Sequence, residues 1–351
     1  MTTIQPGKRN FTAKLVISLF IVLLLVLIGT GISYYNTYFK ANVTSNKEYL
    51  FIKTGSDFED VYSTIKAENM IKDTLSFLNA AQSMAYSGKV KAGRYRLKAG
   101  MNNRTFINML KSGNQEAVKI SFQNVRLKHT LAGMISKRIE TDSASISALL
   151  DSADYVKKYG FNTDNVYTMF IPNSYEIYWN SDAEKFFQRM HDEYMKFWNT
   201  DRKGKAEAIK LSPIEVSILA SIVDSEALND EEMPRIAGLY MNRLQKGIRL
   251  EADPTVIFAA NDFTIRRVLN KHLKLNSPYN TYLNSGLPPG PIAMPSINAI
   301  DAVLNYEKHN YIYMCAKEDF SGYHNYATTL SEHLVNARKF QKALNERNIK
   351  K

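Results

Sequence analysis

The chain has a single cysteine, Cys315, in 351 residues, so no disulfide can form within it. Cys315 sits in the alternating apolar run "YIYMCAK", which predicts a buried strand thiol and not a nucleophile. Six histidines, His129, His191, His272, His309, His324 and His333, are scattered along the sequence. None falls in an H-x-x-x-H or C-x-x-C spacing, which leaves a metal centre without support. The G-x-x-x-x-G-K-[ST] and G-x-G-x-x-G loops that cradle phosphates are missing as well, so no nucleotide cofactor is expected. No repeat array is present.

Composition is that of a folded protein, 45% hydrophobic and 23% charged, with length for two or three domains. The net charge of +11 fits a polyanionic partner or simply a solvated basic surface. Lys and Arg are spread along the chain, so nucleic acid is not indicated.

One apolar run stands out. Leu15 to Ile32, "LVISLFIVLLLVLIGTGI", is uncharged and long enough to span a bilayer. Lys8, Arg9 and Lys14 precede it, which predicts a cytoplasmic N-terminus. The bulky "SYYNTYFK" that follows offers no clean small-x-small cleavage site, so an uncleaved anchor is favoured over a cleaved signal peptide. Tyr34, Tyr35, Tyr38 and Phe39 suit an interfacial aromatic belt. The expected organisation is a cytoplasmic tail at 1–14, a transmembrane anchor at 15–35, a small α+β module at 48–117, a connecting helical part at 118–205 and a catalytic domain at 206–345. The expected class is α+β, with mixed α/β structure in the last domain.

In the small module, "YLFIKTG" and "KAGRYRLKAG" pattern as strands. Helices are expected at "FEDVYSTIKAENMI", after an Asp73 N-cap, and up to Gly113. That order suits a LysM-like carbohydrate-binding module, or a spacer. Downstream, "EAVKISFQ" patterns as a strand. "MFIPNSYEIYWN" is aromatic and turn-rich, which leaves Tyr175 and Trp179 open as groove or core residues. Trp198 is expected in the core beside Met195.

The stretch "LSPIEVSILASIVDSEALND" combines a greasy helix with two acids near its end. Ser212, Pro213 and Glu215 form an N-terminal capping box. Leu219, Ile222, Val223 and Glu226 follow one helical face, so Glu226 extends the apolar stripe. Asp224 shares the other side with Ser217 and Ser221, expected to be the wetter face. Desolvation would raise the Glu226 pKa and fit it for general-acid work; equally, the stripe could fray and let Glu226 reach water. Farther on, Pro234 can open a helix with Ile236, Leu239, Tyr240 and Arg243 or Leu244 on its stripe, ended by Gly247. Asp253, before Pro254, is expected as an N-cap. "SPYNTYLNSGLPPGPIAMPS" is a stiff, proline-rich loop, a plausible substrate cradle. "GYHNYATTLSEH" is expected as a loop into the last helix.

Four of these pieces, "ASIVDSEA", "NRLQKGIRLEADPT", "SPYNTYLNSGLPPGPI" and "GYHNYATT", occur in an order that resembles the membrane-anchored endolytic murein transglycosylases, the YceG-like (MltG) family. The likeness covers nearly the whole chain. It implies cleavage of peptidoglycan glycan strands between N-acetylmuramic acid and N-acetylglucosamine, leaving 1,6-anhydromuramic ends and terminating nascent strands. It also implies a periplasmic or other extracytoplasmic catalytic domain on a single-pass anchor in the cytoplasmic membrane. Cell-wall synthases are possible partners, and no cofactor is implied. The family's essential glutamate maps to Glu226. Many members carry glutamate where Asp224 stands, and aspartate where Asn173 stands, which puts a catalytic role for residue 173 in doubt. The motifs suggest substrate contacts at Asn242 and Arg243, at Asp253 and Thr255, at Tyr279, Asn280 and Tyr282, at Gly286, Leu287 and Pro288, and at His324 and Tyr175. Two other readings stay open: a non-catalytic wall-binding anchor, and a hydrolase using Asp253 as a second carboxylate.

Overall fold

The computed structural model describes residues 8–347. Residues 1–7 of the expected cytoplasmic tail lie outside the described residues. The class is mixed helix and sheet, with three two-stranded sheets among the described residues. The chain divides into two compact units, Met1–Val118 with Tyr178–Asn180, and Lys119–Ile177 with Ser181–Lys351.

The first unit begins with the helix Lys8–Tyr38, whose Ala13–Tyr38 portion has a mean hydropathy of 3.0 and is long enough to cross a membrane. After it come strand Tyr49–Ile52, helices Phe58–Ala67 and Thr74–Ser83, strand Gly93–Arg96 and helix Asn103–Ser112. This is the strand, two helices, strand, helix order expected from the sequence. The strands pair antiparallel, with Leu50 opposite Tyr95. Asp73 caps its helix through Ser76 N. Gly113 closes the last one in the left-handed conformation, φ +72. Leu50, Ile52, Ile65, Phe77, Phe106 and Leu110 form the core. Trp179 packs edge-on against Phe51, 5.1 Å between ring centroids.

In the second unit, helix Pro213–Glu226 packs against helices Thr200–Ala208, Met233–Gln245, Asp253–Ala260 and Ile297–Leu304. Trp198 is buried as expected, but Met195 is exposed: Trp198 is the C-cap, past the end of helix Ala183–Phe197, so the helical spacing that joined the two does not carry to it. Tyr175, left open between groove and core, lies on strand Asn173–Ile177 with its ring buried and its hydroxyl donating to Ile171 O. The segment expected as a loop into the last helix contains a strand, His324–Ala327, paired antiparallel with Tyr313–Ala316. That pairing supplies the ladder partners that a four-residue stretch cannot signal by pattern alone. It places Cys315 opposite Asn325, half-buried with its thiol pKa pushed up by burial.

Candidate active site

Helix Pro213–Glu226 starts as the sequence predicts. Ser212 Oγ accepts from Glu215 N, and the Glu215 carboxylate accepts from Ser212 N. Every residue from Val216 to Val223 is buried. The helix ends on Glu226, which lines a cavity of about 440 Å³.

The other face of this helix is not wet, contrary to expectation. Ser217 and Ser221 are buried, and their hydroxyls donate to Pro213 O and Ile218 O. Ser221 Oγ also accepts from Ile292 N at 3.1 Å. Asp224 is half-buried and accepts from Ser296 N (3.1 Å) and Ser296 Oγ (2.7 Å), where Ser296 caps helix Ile297–Leu304. A helix enclosed on all sides satisfies its polar groups internally, so polarity there does not mark solvent. Asp224 does not line the Glu226 cavity.

Glu226 Oε1 accepts from the Tyr240 hydroxyl at 3.1 Å. Its carboxyl pKa is pushed up to about 7, first by burial and then by the charge of Asp253, with the Tyr240 hydrogen bond opposing. Its place at the C-terminal end of a helix, with no basic residue in the last turn, adds potential of the same sense. The Tyr240 hydroxyl is itself held well above its usual pKa, chiefly by burial, and so stays a donor.

Asp253 does not cap. The helix begins at Asp253 itself, Ala252 holds the cap position, and no side-chain cap bond forms. One residue of displacement frees the carboxylate to accept from the Tyr282 hydroxyl at 2.7 Å. Both residues line the cavity. The segments that carry them are laced together. Thr281 Oγ1 accepts from Ala252 N at 3.0 Å and lies 2.8 Å from Thr255 Oγ1. Asn280 Oδ1 accepts from Tyr282 N, while its Nδ2 donates to Leu273 O and Leu275 O. Thr255 and Asn280 are fully buried; they position Asp253 and Tyr282 and do not themselves face the cavity.

Arg243 lines the cavity but turns its donors inward. Nε donates to Ile312 O at 2.8 Å, Nη1 to Leu250 O at 2.6 Å and Arg249 O at 3.1 Å, and Nη2 to Glu251 Oε2 at 3.0 Å. Asn242 likewise spends its amide on His309 O and Tyr311 O. Tyr279 packs on Phe258, 4.7 Å between centroids. A Cβ on Gly290 would come within 2.9 Å of its hydroxyl and within 2.0 Å of Asp164 O, so the loop passes where only glycine fits. Tyr279, Gly286, Leu287 and Pro288 do not line the Glu226 cavity. His324 does.

Sequence reasoning missed Tyr240 as a partner of Glu226, and missed Glu251, Glu232 and His333. Tyr240 was visible only as a core residue on its helix stripe, since no spacing rule joins it to a residue on the preceding helix. Among the described residues, no group of three or more His, Cys, Asp or Glu side chains converges as a metal site.

Comparison with known proteins agrees with this architecture. The chain is 29% identical to the endolytic murein transglycosylase of Bacillus subtilis (strain 168), over 84% of this chain and 85% of that protein. It is 24% identical to the endolytic murein transglycosylase of Streptococcus pneumoniae (strain ATCC BAA-255 / R6), over 78% of this chain and 55% of that longer protein. A crystal structure of a yceG-like protein from Listeria monocytogenes superposes with a TM-score of 0.54 at 24% identity, covering 82% of this chain and 98% of that one. The model of the YceG-like family matches residues 50–339, and the chain therefore belongs to that family.

Proposed function

We propose that this protein is a membrane-anchored lytic transglycosylase that cleaves the bond between N-acetylmuramic acid and N-acetylglucosamine in peptidoglycan and so terminates nascent glycan strands. The observation that carries this reading is Glu226: a carboxyl with a pKa near 7 in an open cavity is equipped to give and retake a proton at neutral pH. In the first step Glu226 protonates the glycosidic oxygen as the C1–O bond breaks. In the second, as carboxylate, it takes the proton from the muramic 6-hydroxyl while O6 bonds to C1. No water is added, and the acid is regenerated. The tethered hydroxyl supplies the effective molarity that a second carboxylate would otherwise have to provide. Tyr240 holds the Glu226 carboxyl, and Asp253, turned toward Tyr282, faces the positive charge that develops on the sugar ring.

The apolar helix fits a single-pass anchor in the cytoplasmic membrane, with the catalytic unit outside. The module at 48–117 fits a LysM-like glycan contact, and cell-wall synthases are the natural neighbours of an enzyme that ends new strands. Asp253, Tyr282 and His324 are the motif residues of the cavity that would meet the glycan, while the Arg243 donors are spent within the fold. Mass spectrometry of products from purified sacculi tests the chemistry: anhydromuramic ends are expected. Reducing muramic ends would establish the Asp253 hydrolase instead, and no release at all would establish the wall-binding anchor. Protease added to spheroplasts should digest the chain beyond residue 40; full protection would overturn the topology.

Asp253 also sets the pH range. Asp253→Asn removes the neighbouring charge that helps keep Glu226 protonated, so the alkaline limb of kcat/KM should move to lower pH, by up to about one unit because Asp253 is exposed. A limb that stays in place or rises in a pH titration of the variant would show that Asp253 does not act on Glu226.

A further inference from the structure

Glu232 takes no part in the steps above, yet its side chain is only 3% exposed. It ends the short turn Asp230–Glu232 between the Glu226 helix and helix Met233–Gln245. Both of its carboxylate oxygens meet His324, and the Tyr326 hydroxyl lies against the same carboxylate. Oε1 accepts from His324 N at 2.8 Å, and Oε2 lies 2.9 Å from His324 Nδ1. The two loops also meet at Gly322, where φ is +84 and a Cβ would approach Leu228 Cδ1 to 3.1 Å. The Tyr326 ring stands edge-on to the His324 ring at 6.4 Å, which confines the imidazole further.

A carboxylate can only accept, so the ring nitrogen facing it must carry the proton. A hydrogen bond at one imidazole nitrogen decides which tautomer the ring adopts. In the neutral ring Nε2 is then an acceptor, on a residue that lines the same cavity as Glu226. The cavity also holds Glu226 as a donor in its acid form and the Asp253 and Glu251 carboxylates as acceptors, while the Arg243 donors are spent on backbone and Glu251. A sugar hydroxyl both donates and accepts, and an acceptor nitrogen would take its proton side.

We propose that Glu232 is a positioning residue: it holds His324 with Nδ1 protonated, so that Nε2 accepts a hydrogen bond from a hydroxyl of the glycan bound against Glu226. This rests on the glycan-cleaving reading above. The test is nitrogen-15 NMR of the full chain in detergent, with labelled histidine and His324→Gln to assign the signal. His324 should show a protonated Nδ1 and a bare Nε2. A proton on Nε2, alone or together with Nδ1, overturns the proposal. This arm needs no glycan, so it stays readable even if the protein cleaves none. In turnover assays Glu232→Met should lose the fixed tautomer and raise KM about tenfold, the value of one hydrogen bond. kcat should change less than about threefold, because the contact binds ground and transition state alike. Glu232→Gln has a single acceptor oxygen, which the backbone N–H of His324 takes, so its NH2 group meets Nδ1 and should turn the ring to the Nε2–H form with KM raised as in Glu232→Met. If Glu232→Met folds but keeps both the tautomer and KM, the proposal fails. If it does not fold, the wild-type spectrum and the glutamine variant decide.

Discussion

Glu226→Gln should fold and lose about 10³–10⁴-fold in turnover, the upper range for removal of a general acid–base. Glutamine keeps the shape and can still accept from the Tyr240 hydroxyl, but it cannot give a proton to the glycosidic oxygen or retake one from the 6-hydroxyl. Release of anhydro-muropeptides is the assay, with circular dichroism to confirm the fold. Asp224→Asn is the informative control. Its carboxylate holds the cap residue Ser296, so the variant should lose stability more than chemistry. An active Glu226→Gln alongside a folded but dead Asp224→Asn would exchange the two roles. Stability gives a second signature. The folded Glu226 carboxyl keeps its proton up to about pH 7, whereas an unperturbed one releases it near 4.5. The folded state thus binds more protons across that window, and stability falls as pH rises through it. Glutamine abolishes this decline, so the Tm of the variant should exceed that of the wild type above pH 7 and match it more closely at acid pH.

Arg243→Met should cost folding rather than binding. The guanidinium pairs Glu251 and satisfies three carbonyls, on Ile312, Arg249 and Leu250, and its side chain is 8% exposed. Methionine fills similar space but leaves those acceptors unpaired. Removing one partner from such a buried set costs about 3 kcal/mol or more. For a unit of this size that is a drop in Tm of about 6–12 °C. Thermal unfolding followed by circular dichroism measures it. An unchanged Tm with a raised KM would return Arg243 to the role of substrate contact that its motif suggested.

Local chemistry explains what was legible in the sequence. The capping box at Ser212, the proline at the first helical position and the 3.6-residue stripe act within one helix, and the order of elements in the first unit follows from similar signals. The stripe also singled out Glu226, because a residue that continues a buried face inherits its desolvation. The same reasoning misjudged Asp224, since periodicity reports which faces are apolar but not what covers a polar one. It misplaced Asp253 by one residue, and a cap and a first-turn residue send their side chains in different directions.

The sequence by itself determined the apolar N-terminal helix, the class of the fold, the family and the acid at the end of the buried helix, for each rests on contiguous residues or on residues within one helical turn. Only the tertiary structure decided which residues meet that acid. Tyr240 reaches Glu226 from the next helix, Tyr282 reaches Asp253 across 29 residues, and Glu232 reaches His324 across 92. These pairings are set by how helices and loops pack around the cavity, and packing is a property of the folded chain as a whole, which no local spacing encodes.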